Sequence, residues 1–172
     1  MRAVHSVSLG MTRWKLPFLL ALLISLDLTA QTRIGLGLAG GLQSYENSDD
    51  DPKVISTFDV LATRGNFGVQ VAIEYADLSD GGALTAVHPD LIYTRAFAKN
   101  WTFLAGAGPS IINIDQLDDS KTWNAEVEVA RRFARADIFA RVRHYDYDAA
   151  GFRAFASPGG PLVQLGVRWR VR

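Results

Sequence analysis

Cysteine is absent from the chain. That excludes a disulfide framework, a thiolate metal site, a thiol nucleophile and a lipid anchor of the lipoprotein kind. A basic excess is absent too, since 18 Lys and Arg balance 18 Asp and Glu. A nucleic-acid binder would carry a clear positive surplus to neutralise phosphates. After residue 30 there is no apolar run long enough to cross a bilayer as a helix, which takes about 20 residues. Nor do apolar residues recur there at the spacing of a helical face. The 172 residues suffice for one domain, and it must be built from strands.

What is present begins with a targeting segment. Arg13 and Lys15 precede an apolar run from Leu16 to Leu26, interrupted by Pro17 and Ser25, and Leu28-Thr29-Ala30 follows. Basic, then apolar, then small is the order of a secretory signal peptide, and the run is too short to span a membrane comfortably. Cleavage is expected after Ala30, although Leu28 is large for such a site. Residues 1–30 are then the signal peptide and 31–172 the mature domain. Met11 offers a second start.

The plainest strand signal lies at the other end. From Pro161 to Arg172, Val163, Leu165, Val167, Trp169 and Val171 alternate with Gln164, Gly166, Arg168 and Arg170. A period of two marks a strand with one apolar and one polar face. A terminal strand with unpaired backbone groups needs a partner, so this one is expected to close a barrel.

Seven further segments alternate in the same way: Thr32 to Tyr45, Lys53 to Thr63, Asn66 to Ala76, Ala86 to Ala98, Trp101 to Ile114, Thr122 to Phe133 and Ala136 to Tyr147. Pro89 is expected to mark a bulge in the fourth. Tight connections near Arg64-Gly65, Lys99-Asn100 and Ala134-Arg135 alternate with longer ones at 46–52, 77–83, 115–121 and 148–160. An up-and-down barrel with short turns at one end and long loops at the other has this pattern. Charge divides the same way. The long connections carry Glu46, Asp49, Asp50, Asp51, Asp77, Asp80, Asp115, Asp118, Asp119 and Asp148 against Lys121 and Arg153; the short ones carry Arg64, Lys99 and Arg135.

Alternation does not say which face is inside. A soluble carrier of the lipocalin kind would bury the apolar face around a ligand, whereas a membrane barrel turns it to lipid. Three features favour lipid. The polar face is rich in Gly and Ala, which suits a crowded small lumen. Aromatics sit near strand ends on the apolar face: Phe67, Phe97, Trp101, Phe133 and Trp169 towards the short turns, Tyr75 and Trp123 towards the long loops. Rings so placed form interfacial girdles. Finally, Asp59, Glu74, Asp90, Glu126 and Glu128 share the polar face with Arg141, Arg143, Arg168 and Arg170, a set able to pair as a lumen network. Arg95 and Arg131 fall on the apolar face. An outward Arg costs about 2–4 kcal/mol at the bilayer midplane but only about 0–1 near the interface, so both are expected to snorkel at the rim. The expectation is all-β: an eight-stranded antiparallel up-and-down transmembrane β-barrel.

The closing strand resembles the terminal assembly signal of Gram-negative outer-membrane barrels. That signal runs polar, Gly, aromatic, then aromatic or apolar, and Gln164, Gly166, Trp169 and Val171 fit it; the departure is Arg172 after Val171, where the family usually ends on an aromatic. The mature chain as a whole is similar to the small outer-membrane barrels typified by the transmembrane domain of OmpA. The resemblance implies an outer-membrane location after export, a porin-like wall around a closed lumen, a structural or anchoring role, and no cofactor. It implies contact with outer-membrane lipids, lipopolysaccharide and the assembly machinery; it favours a monomer without fixing the oligomeric state, and the balanced charge already excludes nucleic acid.

A rival reading comes from Arg143-His144-Tyr145-Asp146-Tyr147-Asp148-Ala149-Ala150-Gly151, which is similar in place to the His-x-Ser-Asn-Ala-Gly segment of lipid A deacylases. His144 matches the base, but Asp146 stands where the nucleophilic Ser belongs, Tyr147 replaces Asn, and no Glu follows Gly151. A His without a nucleophile does not run a triad. Asp49-Asp50-Asp51 lacks the spacing of a calcium loop. Gly35-x-Gly37 and Gly106-x-Gly108 lie within strands without a following helix, so they are not phosphate loops.

Overall fold

The computed structural model describes residues 32–43, 53–77, 83–114, 120–145 and 161–171. The signal segment, most of the four long connections, Tyr45, Asp146 and Tyr147 lie outside the described residues. The strands are β1 Thr32–Gln43, β2 Lys53–Arg64, β3 Phe67–Asp77, β4 Ala83–Ala98, β5 Trp101–Ile114, β6 Ser120–Arg132, β7 Ala136–Tyr145 and β8 Leu162–Arg170. Each pairs antiparallel with the next, and β1 pairs with β8, so the sheet closes on itself in chain order. Closure removes both edges, and with them the unpaired backbone of the terminal strand.

Local chemistry sets the short turns. Gly65 has φ of 63°, the left-handed conformation that glycine adopts without a Cβ penalty. It joins β2 to β3 with Asn66, as glycine and asparagine do in tight hairpins. Pro89 does not bulge its strand. Val71 pairs with Pro89 in unbroken register on the β3 side. On the β5 side the ladder stops after Val87↔Ile111 and resumes at Leu91↔Ala107 in the same register, which sets Pro89 opposite Pro109. Two residues without an N–H share one gap, so the missing donors need no extra residue to absorb them. The register shift lies instead between Ala96 and Ala98, beside the Lys99-Asn100 turn.

The faces follow parity. Leu36, Leu38, Leu42, Val54, Phe58, Ile73, Leu91, Val127, Val163 and Leu165 are exposed on the outside. Asp59, Glu74, Asp90, Glu126, Glu128, Arg141, Arg143 and Arg168 are buried within. Val71 shares the outward parity but is buried.

The lumen is layered. At the long-loop end Ile55, Ala76, Leu84, Ala86, Ile112, Tyr145 and Leu162 form an apolar cluster. Beneath it lies the charged layer. At the short-turn end a cavity of about 80 Å³ is lined by Arg33, Arg132, Arg168 and Arg170, with Glu128 and Asp137 among its acids.

Candidate functional site

The charged layer is one connected structure. Arg141 on β7 reaches across to β2, where its Nη2 donates to Asp59 Oδ2 at 2.8 Å, and it donates to Glu128 Oε2 at 2.8 Å as well. Its Nε lies 3.3 Å from Glu126 Oε2. Arg143 donates to Glu126 Oε2 at 2.5 Å, to Glu74 Oε1 at 2.8 Å and to Asp90 Oδ2 at 3.3 Å. Arg168 on β8 donates to Glu128 Oε1 at 2.6 Å and to Asp59 Oδ1 at 3.1 Å. Cross-strand register builds two of these contacts, since Glu126↔Arg143 and Glu128↔Arg141 are direct β6–β7 neighbours. Arg141 and Glu126 are diagonal neighbours on the same two strands, and the others join strands that are not adjacent.

Five carboxylates thus face three guanidiniums, and neutral donors complete the set. Tyr145 donates its hydroxyl to Glu74, and Asn124 Nδ2 donates to Asp90 Oδ1 at 2.8 Å. Gln70, with its amide nitrogen turned to Glu126, donates to Oε1 at 2.9 Å and accepts from Arg141 Nη2 at 2.8 Å. A buried charge is tolerated only where nearly every lone pair and proton has a partner. Phe139 is buried between two of the arginines, with Arg141 Cζ 4.8 Å and Arg168 Cζ 4.6 Å from its ring centroid. Cations over an aromatic face are attracted by its quadrupole.

Small residues make room for this. A Cβ at Gly37 would stand 2.5 Å from Asp59 Oδ1, and one at Gly35 would stand 2.7 Å from Arg168 Cδ. The small inner face of β1 is the space these side chains occupy.

Closed eight-stranded barrels of this shape are known from solved structures. Neisserial surface protein A matches with a TM-score of 0.63 at 12% identity, over 81% of this chain and 97% of that one. The N-terminal β-barrel domain of Pseudomonas aeruginosa OprF matches with a TM-score of 0.58 at 13% identity, over 81% and 97%. A de novo designed transmembrane β-barrel matches with a TM-score of 0.53 at 9% identity, over 81% and 95%. No protein-family model matches the chain, and no curated protein matches it significantly. The fold is that of the small outer-membrane barrels.

Within this outer-membrane-type barrel the residues singled out from the sequence divide by place. Asp59, Glu74, Asp90, Glu126, Glu128, Arg141, Arg143 and Arg168 are brought together. Arg170 is not. It sits at the short-turn rim, donating to the Phe133 carbonyl, with its Nε 3.4 Å from Asp137 Oδ1. Arg170 lies two positions beyond Arg168 along β8, which moves it below the network and onto the mouth of the lumen.

Phe67, Tyr75, Phe97, Trp101, Trp123, Phe133 and Trp169 are all exposed on the outer side. Phe67 meets Tyr93 edge-on with centroids 5.4 Å apart, and Phe97 lies 6.4 Å from Trp101. In the closing strand Gln164 is buried and donates to Thr57 Oγ1 at 2.5 Å, while Trp169 and Val171 are exposed. At Gly166 a Cβ would run into Phe139 and the Leu38 carbonyl.

His144 is exposed on the outer wall, opposite Ala125. Asp146 and the Asp49-Asp50-Asp51 run lie outside the described residues. Among the described residues no group of three His, Asp or Glu is placed to hold a metal ion.

The sequence reading left several members out of the network: His88, Gln70, Asn124, Tyr145, Ser110 and Phe139. Parity was the available signal, since all six fall on the inward side of their strands. His88 Nδ1 lies 2.8 Å from Ser110 Oγ, and its Nε2 lies 3.4 Å from Glu74 Oε2. Serine, imidazole and carboxylate in that order form the skeleton of a nucleophilic triad. Here Ser110 and His88 are each 0% exposed. Both are enclosed by the described residues, where the imidazole bridges Ser110 and Glu74.

Proposed function

We propose that the chain is an integral outer-membrane barrel with a structural role: an exported anchor that holds a closed lumen across the bilayer and turns acidic loops outward. The observation that carries this reading is the inversion of the barrel's polarity. Charged side chains fill the inside while large apolar side chains face out, as lipid requires. In water the same outer face would be an aggregation surface far larger than soluble proteins expose. The likeness to a designed barrel supports a fold that stands without any task encoded in a site.

The short turns with their basic residues face the periplasm, and the long loops face outward towards lipopolysaccharide. The closing strand, through Gln164, Gly166, Trp169 and Val171, is the segment offered to the assembly machinery. The test is electrophoresis of membrane fractions with and without boiling. A closed membrane barrel resists detergent when cold and shifts on heating. A soluble protein without a shift overturns the reading.

A lipid-modifying hydrolase is the second reading, and the exposure of His144 on the outer wall favours it, because a lipid ester would meet it there. Loss of released fatty acid in His144→Ala, against release by the parent, supports that activity; unchanged lipid A on expression removes it. The carrier reading finds less support, since the described lumen is filled by charged and hydrogen-bonded side chains.

A further inference from the structure

The outer wall at the short-turn end repeats one pairing. Arg64 on β2 stands opposite Phe67 on β3. Arg95 on β4 stands opposite Phe103 on β5. Arg131 on β6 stands opposite Trp101 on β5. All three arginines are exposed, and each faces outward with the apolar residues of its strand. Arg131 lies over two rings, with its Cζ 5.9 Å from the Trp101 centroid and 5.4 Å from that of Phe133. Neither Arg95 nor Arg131 makes an ion pair among the described residues. No described carboxylate lies on the outer face at this end, since Asp137 lines the inner cavity.

Arg95 and Arg131 flank β5 from either side. Arg95 is level with Phe103 and Arg131 with Trp101, two positions apart on β5, so at the usual strand spacing and rise their backbones are about 12 Å apart, within the joint reach of two long side chains. Between them stand Phe103 and Trp101, both exposed. Two permanently charged guanidiniums over an apolar aromatic floor, with no acid among the described residues to satisfy them, match a group that is anionic at one end and apolar below. Guanidinium binds phosphate oxygens in a bidentate fork, and aromatic rings settle at the headgroup boundary.

We propose that Arg95 and Arg131, with Trp101 and Phe103 between them, form a binding site for an anionic glycerophospholipid in the leaflet at the short-turn end. The headgroup phosphate is held between the two arginines, and the acyl chains lie along the wall of β5. The site rests on the outer-membrane reading above. A basic side chain at an anionic membrane surface adds about fivefold to binding, so the pair accounts for a preference of about 25-fold over a neutral lipid.

The test is native mass spectrometry of the mature protein purified from membranes in a neutral detergent. Phosphatidylglycerol and phosphatidylcholine of the same chain length are titrated against it. The parent and Lys121→Gln, which removes one charge at the opposite rim, are expected to retain phosphatidylglycerol preferentially. The double variant Arg95→Gln/Arg131→Gln is expected to lose that preference while keeping its heat shift on gels. Equal retention of both lipids by the parent overturns the site, as does a preference that survives in the double variant or vanishes in Lys121→Gln. A parent without a heat shift overturns the barrel reading and the site with it, which separates the two failures.

Discussion

Arg141 Nη2 and Asp59 Oδ2 lie 2.8 Å apart although 82 positions separate the two residues in the chain. The contact ties β7 to β2 through the middle of the lumen, between strands that share no ladder. Asp59 also accepts from Arg168 on β8, so one carboxylate joins three strands.

Removing that carboxylate is expected to be costly. In Asp59→Asn, Arg141 and Arg168 each lose a charged partner inside the barrel, and breaking one side of a buried pair costs about 3–5 kcal/mol. Urea unfolding in lipid, followed by tryptophan fluorescence, measures it. Arg141→Met combined with Asp59→Asn is expected to cost less than the two single changes added together. Strict additivity would mean that the pair is not coupled.

Gly37 and Gly40 separate the roles of two glycines on one strand. A Cβ at Gly37 meets Asp59, while nothing lies within 4 Å of one at Gly40. Gly37→Val is expected to destabilise by about 1–3 kcal/mol, the usual penalty for overpacking, and to lower the temperature at which the heat shift occurs. Gly40→Ala is expected to leave that temperature unchanged or raise it.

Phe139 fills the space between Arg141 and Arg168. Phe139→Ala is expected to destabilise by about 3–5 kcal/mol through lost packing. Phe139→Leu restores bulk without the ring face and is expected to recover most but not all of it. Full recovery would assign the whole effect to volume rather than to the cation–ring contact.

The closing strand makes a prediction in the cell that differs from the one in the test tube. Trp169→Ser is expected to reduce the heat-shifted protein in outer-membrane fractions severalfold, while refolding of the purified variant into detergent stays close to that of the parent. An equal loss in both settings would make Trp169 a stability residue only, since the side chain stands outside the barrel and is 47% exposed.

A packed lumen is expected to be silent in planar bilayers. Among the described residues the apolar cluster of Ile55, Leu84, Ile112 and Leu162 lies above the charged layer, and side chains fill the interior of an eight-stranded barrel. Regular conductance steps from the purified parent would show that the loop end opens.

Alternation was legible because side chains on a strand must point to opposite faces. Val127 and Val129 were therefore assigned opposite sides from Glu126 and Glu128 before any partner strand was known. Strand ends were less legible. β4 begins at Ala83 rather than Ala86, and β6 at Ser120 rather than Thr122, because terminal pairing depends on the neighbour's length. Pro89 misled for a related reason. A proline forces a bulge only if the neighbour needs its N–H, and the residue opposite is Pro109, so the ladder has a gap there but keeps its register.

Residue order alone determined the period of two, the two faces, the alternating connections and the split of charge between the ends, all of which are local properties of the chain. Tertiary structure decided which carboxylate meets which guanidinium. It brought Phe139 against Arg141 and Arg168 and Tyr145 against Glu74, and it left Arg170 at the rim. The physical reason is that pairing across a lumen depends on the stagger at which β1 meets β8, and that stagger exists only once the sheet has closed.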